Sequence, residues 1–203
     1  MSLFEILVRG GWLIIPIALS SIVVIALGVS RYVALRNEKE QLSRFLGEWL
    51  DAFPGIEPER YLTACKAGPK AVADMATSLV RGRYPRQEAA DRIESLARTE
   101  LARLEYGLGA IATLAAVTPL IGFLGTVTGM IRAFMQIQNL GGNVNANVLA
   151  GGIWEALVTT AAGLAVGIVA LIIHNYIASL VSKHAQRLEL AGELTLNVLS
   201  RRQ

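Results

Sequence analysis

A single carboxylate lies within a long apolar part of this 203-residue chain. Glu155 is the one charged residue between Arg132 and Lys183. A helix that begins near residue 148 would carry Glu155 about two turns inward, roughly 10 Å from the helix end. A charge at that depth in a bilayer is costly, so it normally faces a bundle interior or a watery cavity on an ion pathway. The alternative is a structural glutamate that caps the helix start or pairs with Arg132.

Threonine hydroxyls accompany this carboxylate. Thr159 follows Glu155 by four residues and shares its helical face, whereas Thr160 points about 140° away from it. Thr126 precedes Arg132 by six residues on the previous apolar stretch, hence at comparable depth. Because hydroxyls can hold water or the hydration shell of a cation, the sequence predicts an ion pathway lined by Glu155, Thr126, Thr160 and Thr159. The alternative is that each threonine bonds a carbonyl of its own helix.

Small residues form a second pattern on the same two stretches. On the stretch before Arg132, four small residues fall within about 60° of one another on one helical face. On the stretch after Glu155, two glycines lie four residues apart and therefore also share a face. Such faces let helix backbones approach closely, either within one chain or between subunits. Pro119, which has no N–H, should also leave the carbonyl of Ala115 without its usual hydrogen bond within the helix. The predicted packing residues are Thr118, Pro119, Gly122, Gly125, Gly129, Gly163 and Gly167.

No pattern of catalytic or nucleic-acid-binding residues accompanies these features. The single cysteine, Cys65, matches no metal-ligand spacing, and His174 has no second ligand nearby in the sequence. No nucleophile–base motif or phosphate loop occurs. Aromatic residues make up 6% of the chain and do not alternate with basic ones, so no base-stacking surface is expected. The sequence therefore predicts neither an enzyme nor a nucleic-acid partner, and no metal or cofactor.

Three long uncharged runs must position the candidate residues. They span residues 10–30, 106–131 and 156–182, and each reaches the roughly 20 residues that a helix needs to cross a bilayer. The chain is 53% hydrophobic and only 17% charged, which excludes an ordinary soluble domain. We therefore predict an all-α integral membrane protein with three transmembrane helices, two of them long and extending into the cytoplasm. A secretory signal peptide is the alternative for the first run.

The basic residues indicate how these helices are oriented. Residues 31–105 hold 13 of the 19 lysines and arginines, and residues 183–203 hold another 4. Under the positive-inside rule both regions lie in the cytoplasm, which places the amino terminus in the periplasm and the carboxyl terminus in the cytoplasm. The basic isoelectric point, about 9.2, is thereby explained by topology.

The chain divides into six segments on this basis. An outer lead-in with the first transmembrane helix spans residues 1–35, a cytoplasmic helical segment 36–105, and the second transmembrane helix 106–132. A periplasmic loop spans 133–147, the third transmembrane helix 148–182, and a cytoplasmic tail helix 183–203. Proline and glycine divide the cytoplasmic segment into short helices near 36–52, 59–67 and 70–83. From residue 86 onward one helix of about 50 residues should run into the membrane.

Two stretches carry a resemblance to a known family. Residues 118–131, TPLIGFLGTVTGMI, and residues 152–164, GIWEALVTTAAGL, resemble the second and third transmembrane signatures of the MotA/TolQ/ExbB proton-channel family. Three helices, an outside amino terminus and a large first cytoplasmic loop resemble its ExbB and TolQ branch. In that resemblance Glu155 matches the family's membrane glutamate, and Thr126 and Thr160 match its threonines of the second and third helices.

The resemblance also implies partners and a function. It implies a homo-pentamer in the bacterial inner membrane, around a dimer of ExbD/TolR-like single-helix proteins whose aspartate takes up and releases the ion. The function so implied is the use of the proton motive force to energise a TonB-type protein for outer-membrane transport. A TolQ-like role with a TolA-like protein in envelope maintenance is the alternative, as is a passive membrane scaffold. Protons are the expected ion, with sodium left open.

Overall fold

Every regular element in the described part of the chain is an α-helix. The computed structural model describes residues 11–51, 55–82, 84–139 and 146–199, and the predicted lead-in over residues 1–9 lies outside them. In order, the helices are α1 (Ile14–Leu50), α2 (Pro58–Ala67), α3 (Lys70–Gly82), α4 (Arg86–Glu105), α5 (Leu108–Asn139) and α6 (Ala146–Leu199). Stretches at Ile14–Leu50, Arg86–Asn139 and Leu149–Leu199 are long and apolar enough to cross a membrane. The predicted fold class, all-α with three spanning helices, is confirmed.

The short helices begin where proline allows them to. α2 starts on Pro58, whose missing N–H costs nothing in the first turn. Pro85 is the N-cap of α4, and its carbonyl accepts a hydrogen bond from the Ala89 N–H at 2.9 Å. The predicted helices at 59–67 and 70–83 therefore match α2 and α3 closely.

The helix bounds differ from the prediction in two places. The expected helix at 36–52 is not separate, because α1 continues without interruption from the apolar run through Leu50. Charge changes along α1 there, while no residue breaks the helix. At the loop expected over 133–147, α5 continues through Asn139 and α6 begins at Ala146, and the residues between these two lie outside the described ranges.

The long helix expected from residue 86 into the membrane is interrupted once. Tyr106 ends α4 with φ −53° and ψ 129°, and Gly107 follows with φ 84°. A positive φ is open to glycine and strained for other residues, so the sequence allows the break here. The Gly107 carbonyl then accepts a hydrogen bond from the Ile111 N–H at 3.2 Å and starts α5.

The chain divides into two compact units. The first, which we call the apolar unit, comprises Met1–Val29 and Gly107–Tyr176. The second, which we call the polar unit, comprises Ser30–Tyr106 and Ile177–Gln203.

The polar unit has a hydrophobic core to which both of its chain segments contribute. Tyr61, Cys65 and Met75 are wholly buried in it, together with Leu188 and other residues of α6. The Tyr61 hydroxyl is 2.9 Å from the Thr195 hydroxyl, a buried hydrogen bond between residues far apart in sequence. Since a buried hydroxyl without a partner is costly, this bond ties α2 to α6.

Candidate functional site

The glycine faces of α5 and α6 pack against each other inside the apolar unit. A Cβ placed on Gly163 would lie 2.9 Å from the Gly122 Cα and 2.9 Å from the Thr118 carbonyl oxygen, so the two backbones are nearly in contact. About two turns further along the pair, a Cβ on Gly129 would lie 3.0 Å from the Ala156 Cβ. The predicted face is therefore a packing face within the chain, the first of the two possibilities that the sequence left open.

Pro119 lies in the same contact. A Cβ on Gly167 would overlap the Pro119 ring and would lie 3.1 Å from the Ala115 carbonyl oxygen. Pro119 has no N–H to offer that carbonyl, as the sequence predicts. Gly167 thus allows α6 to approach α5 where the hydrogen-bond ladder of α5 is interrupted.

Glu155 forms an ion pair with Arg132. The Arg132 Nη1 donates a hydrogen bond to the Glu155 Oε1 at 2.8 Å, which joins α6 to α5. The Glu155 side chain is 26% exposed and that of Arg132 is 46% exposed. The sequence raised this pairing as the structural alternative to an ion pathway, and the structure contains it.

Gly11 approaches the same carboxylate, which the sequence did not indicate. Gly11 has a φ of 68°, and any Cβ added to it would overlap the Glu155 Oε1. Gly11 lies just before α1, so three segments of the apolar unit meet at this carboxylate. The only sequence signal was the glycine pair at residues 10 and 11, with which the first apolar run begins.

The threonines divide into two groups by what their hydroxyls bond. Thr159 donates to the Glu155 carbonyl at 2.8 Å, Thr126 to the Phe123 carbonyl at 2.7 Å, and Thr118 to the Leu114 carbonyl at 2.6 Å. These three follow the alternative of bonding within their own helix. Thr160 does not.

Thr160 bonds across the helix pair. Its hydroxyl donates to the Gly122 carbonyl of α5 at 2.8 Å. Thr160 therefore faces the glycine face of α5, the face on which Thr159 also packs. Thr160 therefore supports the contact between α5 and α6 directly, whereas Thr159 is buried against Gly125.

This helix pair lies within a segment that matches a family of known proteins. The model of the MotA/TolQ/ExbB proton channel family matches residues 67–190, more than half of the chain. This chain belongs to that family. The matched segment of this MotA/TolQ/ExbB protein contains Glu155, the threonines Thr126, Thr159 and Thr160, and the whole glycine contact. Gly11 lies outside it.

Individual relatives agree with this assignment. The protein is 33% identical over 188 residues to a putative biopolymer transport protein ExbB-like 1 of Synechocystis, covering 89% of this chain and 72% of the relative. It is 32% identical over 175 residues to the biopolymer transport protein ExbB of Neisseria meningitidis, covering 78% and 77%. A putative ExbB homologue of Methanothermobacter thermautotrophicus is 32% identical over 121 residues, 42% of its own length.

Metal binding finds no support in the described ranges of this family member. They contain no cluster of three histidine, cysteine or acidic side chains that could hold a metal ion. The chemistry that the site offers is a carboxylate, a guanidinium and hydroxyls within an apolar helix bundle. Such a set can host a cation or a proton and can stabilise its charge.

Proposed function

We propose that this protein is the proton-channel subunit of an inner-membrane motor that couples inward proton flow to work on an envelope partner. The observation that supports this proposal most strongly is the environment of Glu155. It is the one carboxylate in the described part of the apolar unit. Its side chain is about a quarter exposed, pairs with Arg132 and adjoins Gly11. Family membership supports the channel assignment, since all of the candidate ion-path residues fall inside the matched segment.

In this proposal Glu155 hosts the ion and the threonines provide polar surface beside it. Thr126 and Thr160 bond backbone carbonyls through their hydroxyl hydrogens, and each hydroxyl oxygen keeps lone pairs for water or a cation. Thr159 contributes by holding the α6 backbone at Glu155. No covalent step takes place. One charge crossing 100 mV releases about 2.3 kcal/mol, so a few ions per step exceed thermal energy several-fold.

The proposed assembly is a homo-pentamer around a dimer of ExbD/TolR-like single-helix proteins, acting on a TonB-like protein. Two relatives are named biopolymer transport proteins of the ExbB type, which supports this assembly over one with a TolA-like protein. The helices of the apolar unit also leave large side chains uncovered, among them Phe123 at 63% and Ile172 at 63% exposure. Contact with lipid, with other subunits and with a partner helix would cover this surface.

The proposed orientation has its own test. In a variant without Cys65, a cysteine at the exposed position Glu193 should be protected from a membrane-impermeant maleimide in intact cells, whereas one at Asn143 should react. Cys65 itself is a poor reactant, because burial raises the pKa of its thiol to about 11. Labelling at Glu193 with protection at Asn143 would reverse the orientation.

The function is tested by reconstitution. The full chain is purified together with an ExbD-like single-helix protein and placed in vesicles that contain a pH-sensitive dye. A potassium diffusion potential, negative inside, should then acidify the vesicle interior. Choline in place of sodium should leave this flux unchanged if protons are the ion. A complex that conducts neither protons nor sodium under potential would contradict the channel assignment.

The ion pair between Arg132 and Glu155 favours a second candidate, a passive scaffold. A glutamate that served only to join α5 to α6 would form such a pair at 2.8 Å. The scaffold predicts that neutralising Glu155 costs stability and nothing else. Replacing Glu155 by glutamine separates these two functions, because only the ion-hosting role requires a group that can titrate.

A further inference from the structure

The apolar unit contains very few charges, and those that are described lie together. Across residues 11–29, 107–139 and 146–176, Arg132 and Glu155 are the only lysine, arginine, aspartate or glutamate side chains. They form one ion pair at 2.8 Å, so the described part of this unit is electrically neutral when both are charged. A charge left unpaired here would lose this compensation in a region with little other polarity.

The two partners are enclosed to different degrees. The Glu155 side chain is 26% exposed, whereas the Arg132 side chain is 46% exposed. Arginine carries its charge on a long flexible stem, so the guanidinium can swing away while the carboxylate stays in place. The pair can therefore open by a movement of Arg132 alone.

Gly11 adjoins the same carboxylate oxygen that Arg132 bonds. Its φ of 68° and the absence of a Cβ allow the backbone before α1 to approach the Glu155 Oε1 directly. A larger residue would occupy the space that this oxygen fills. Gly11 is thus the third element that defines where the carboxylate lies.

We propose that Arg132 is a positioning residue that closes the ion path by holding the Glu155 carboxylate, in the space that Gly11 leaves free. The proposal rests on the function proposed above, in which Glu155 hosts the ion. While the pair is closed, the positive guanidinium occupies the position from which a cation would reach the carboxylate. A positive side chain in a narrow apolar path raises the electrostatic barrier to other cations. The subunit without its partner is therefore closed, and opening requires that Arg132 leave Glu155.

The test measures proton leak through the full chain reconstituted into vesicles without its partner. Wild-type protein should be tight under an imposed potential. Arg132→Gln should increase the leak on the order of tenfold, corresponding to about 1.4 kcal/mol on the barrier. Arg132→Lys keeps the charge and should remain close to wild type. The double variant Arg132→Gln/Glu155→Gln should be tight again, since the carboxylate that would host the ion is gone.

The double variant distinguishes positioning from a merely structural role. If Arg132→Gln leaked because the helices had loosened, the double variant would leak as well, and that result would overturn the proposal. If all variants showed the same low proton leak, the proposal would also be overturned. The channel assignment would be unaffected by that result, because it is tested by proton flux through the complex with the partner. Should Arg132→Gln fail to insert, Gly11→Ala displaces the same carboxylate. Its leak should likewise disappear when Glu155→Gln is added.

Discussion

Replacing Glu155 by glutamine is expected to abolish work driven by the proton motive force while the protein remains in the membrane at its normal level. Glutamine has nearly the size of glutamate and still accepts a hydrogen bond from Arg132, but it cannot take up or release a proton. The stability cost should be small, because the glutamine amide oxygen can still accept the hydrogen bond that the Arg132 guanidinium donates to Glu155. Loss of work without loss of protein separates ion coupling from packing.

The measurement is energised uptake or envelope integrity in cells, alongside the yield of the purified complex. Glu189→Gln is the matched control, because it makes the same substitution at an exposed position of the same helix, α6. It should leave both work and yield unchanged. Glu155→Asp should retain part of the work, since the charge remains but is withdrawn by about one methylene. Full work in Glu155→Gln at normal yield would favour the passive scaffold.

Replacing Gly163 by leucine is expected to break the contact between α5 and α6. A Cβ at Gly163 meets backbone atoms, the Gly122 Cα and the Thr118 carbonyl oxygen, both at 2.9 Å, and backbone cannot rotate aside. Overpacking of this kind costs about 1–3 kcal/mol where neighbours can shift, and more where they cannot. It would also remove the hydrogen bond from Thr160 to the Gly122 carbonyl, because the helices must separate.

Gly151 provides the matched control on the same helix. A Cβ at Gly151 would meet nothing within 4 Å, so Gly151→Leu should leave the contact intact. Thermal unfolding of the purified variants in detergent is the measurement, and Gly163→Leu should unfold at a markedly lower temperature than Gly151→Leu. Gly125→Ala should also lower the unfolding temperature, because its Cβ would lie 2.4 Å from the Thr159 Cγ2 and 2.7 Å from the Thr159 Cβ, and Thr159 is buried. Equal unfolding temperatures for the two leucine variants would contradict the close contact.

The sequence predicted helices well where their ends carry a specific residue. Pro58 and Pro85 mark the starts of α2 and α4, since proline is suited to a helix N-terminus and to little else in a helix. The sequence did not predict that α1 continues through residues 30–36, because the predicted boundary there rested on a change from apolar to charged residues. That change alters the surroundings of a helix and leaves its backbone free to continue. The break at Tyr106–Gly107 had a signal, a glycine at the end of a charged stretch, but its φ depends on local packing.

The sequence indicated which candidate residues share a helical face, and it indicated less well which atoms their side chains bond. Periodicity correctly placed Thr159 beside Glu155 along the helix, yet the Thr159 hydroxyl bonds the Glu155 backbone and not its carboxylate. The spacing of the glycines showed that they share a helical face. It could not show that this face packs against another helix of the same chain, because that depends on tertiary structure. The approach of Gly11 to Glu155 could not be predicted, because nothing in the sequence relates a residue before α1 to one in the third turn of α6.

The arrangement of the polar unit has a consequence for the order of events during synthesis. Its core combines residues of α1 to α4 with Leu188, Ala191, Leu194 and Val198 of α6. Those α6 residues leave the ribosome only after residues 107–176, the greater part of the apolar unit, have been made. Until then the Tyr61 hydroxyl has no Thr195 hydroxyl to bond, and the core residues of α2 and α3 lack the core residues that α6 contributes. Completion of this core therefore follows the synthesis of all three membrane-crossing stretches, and chaperones or proteases that recognise exposed apolar surface can distinguish chains that have passed this point from chains that have not.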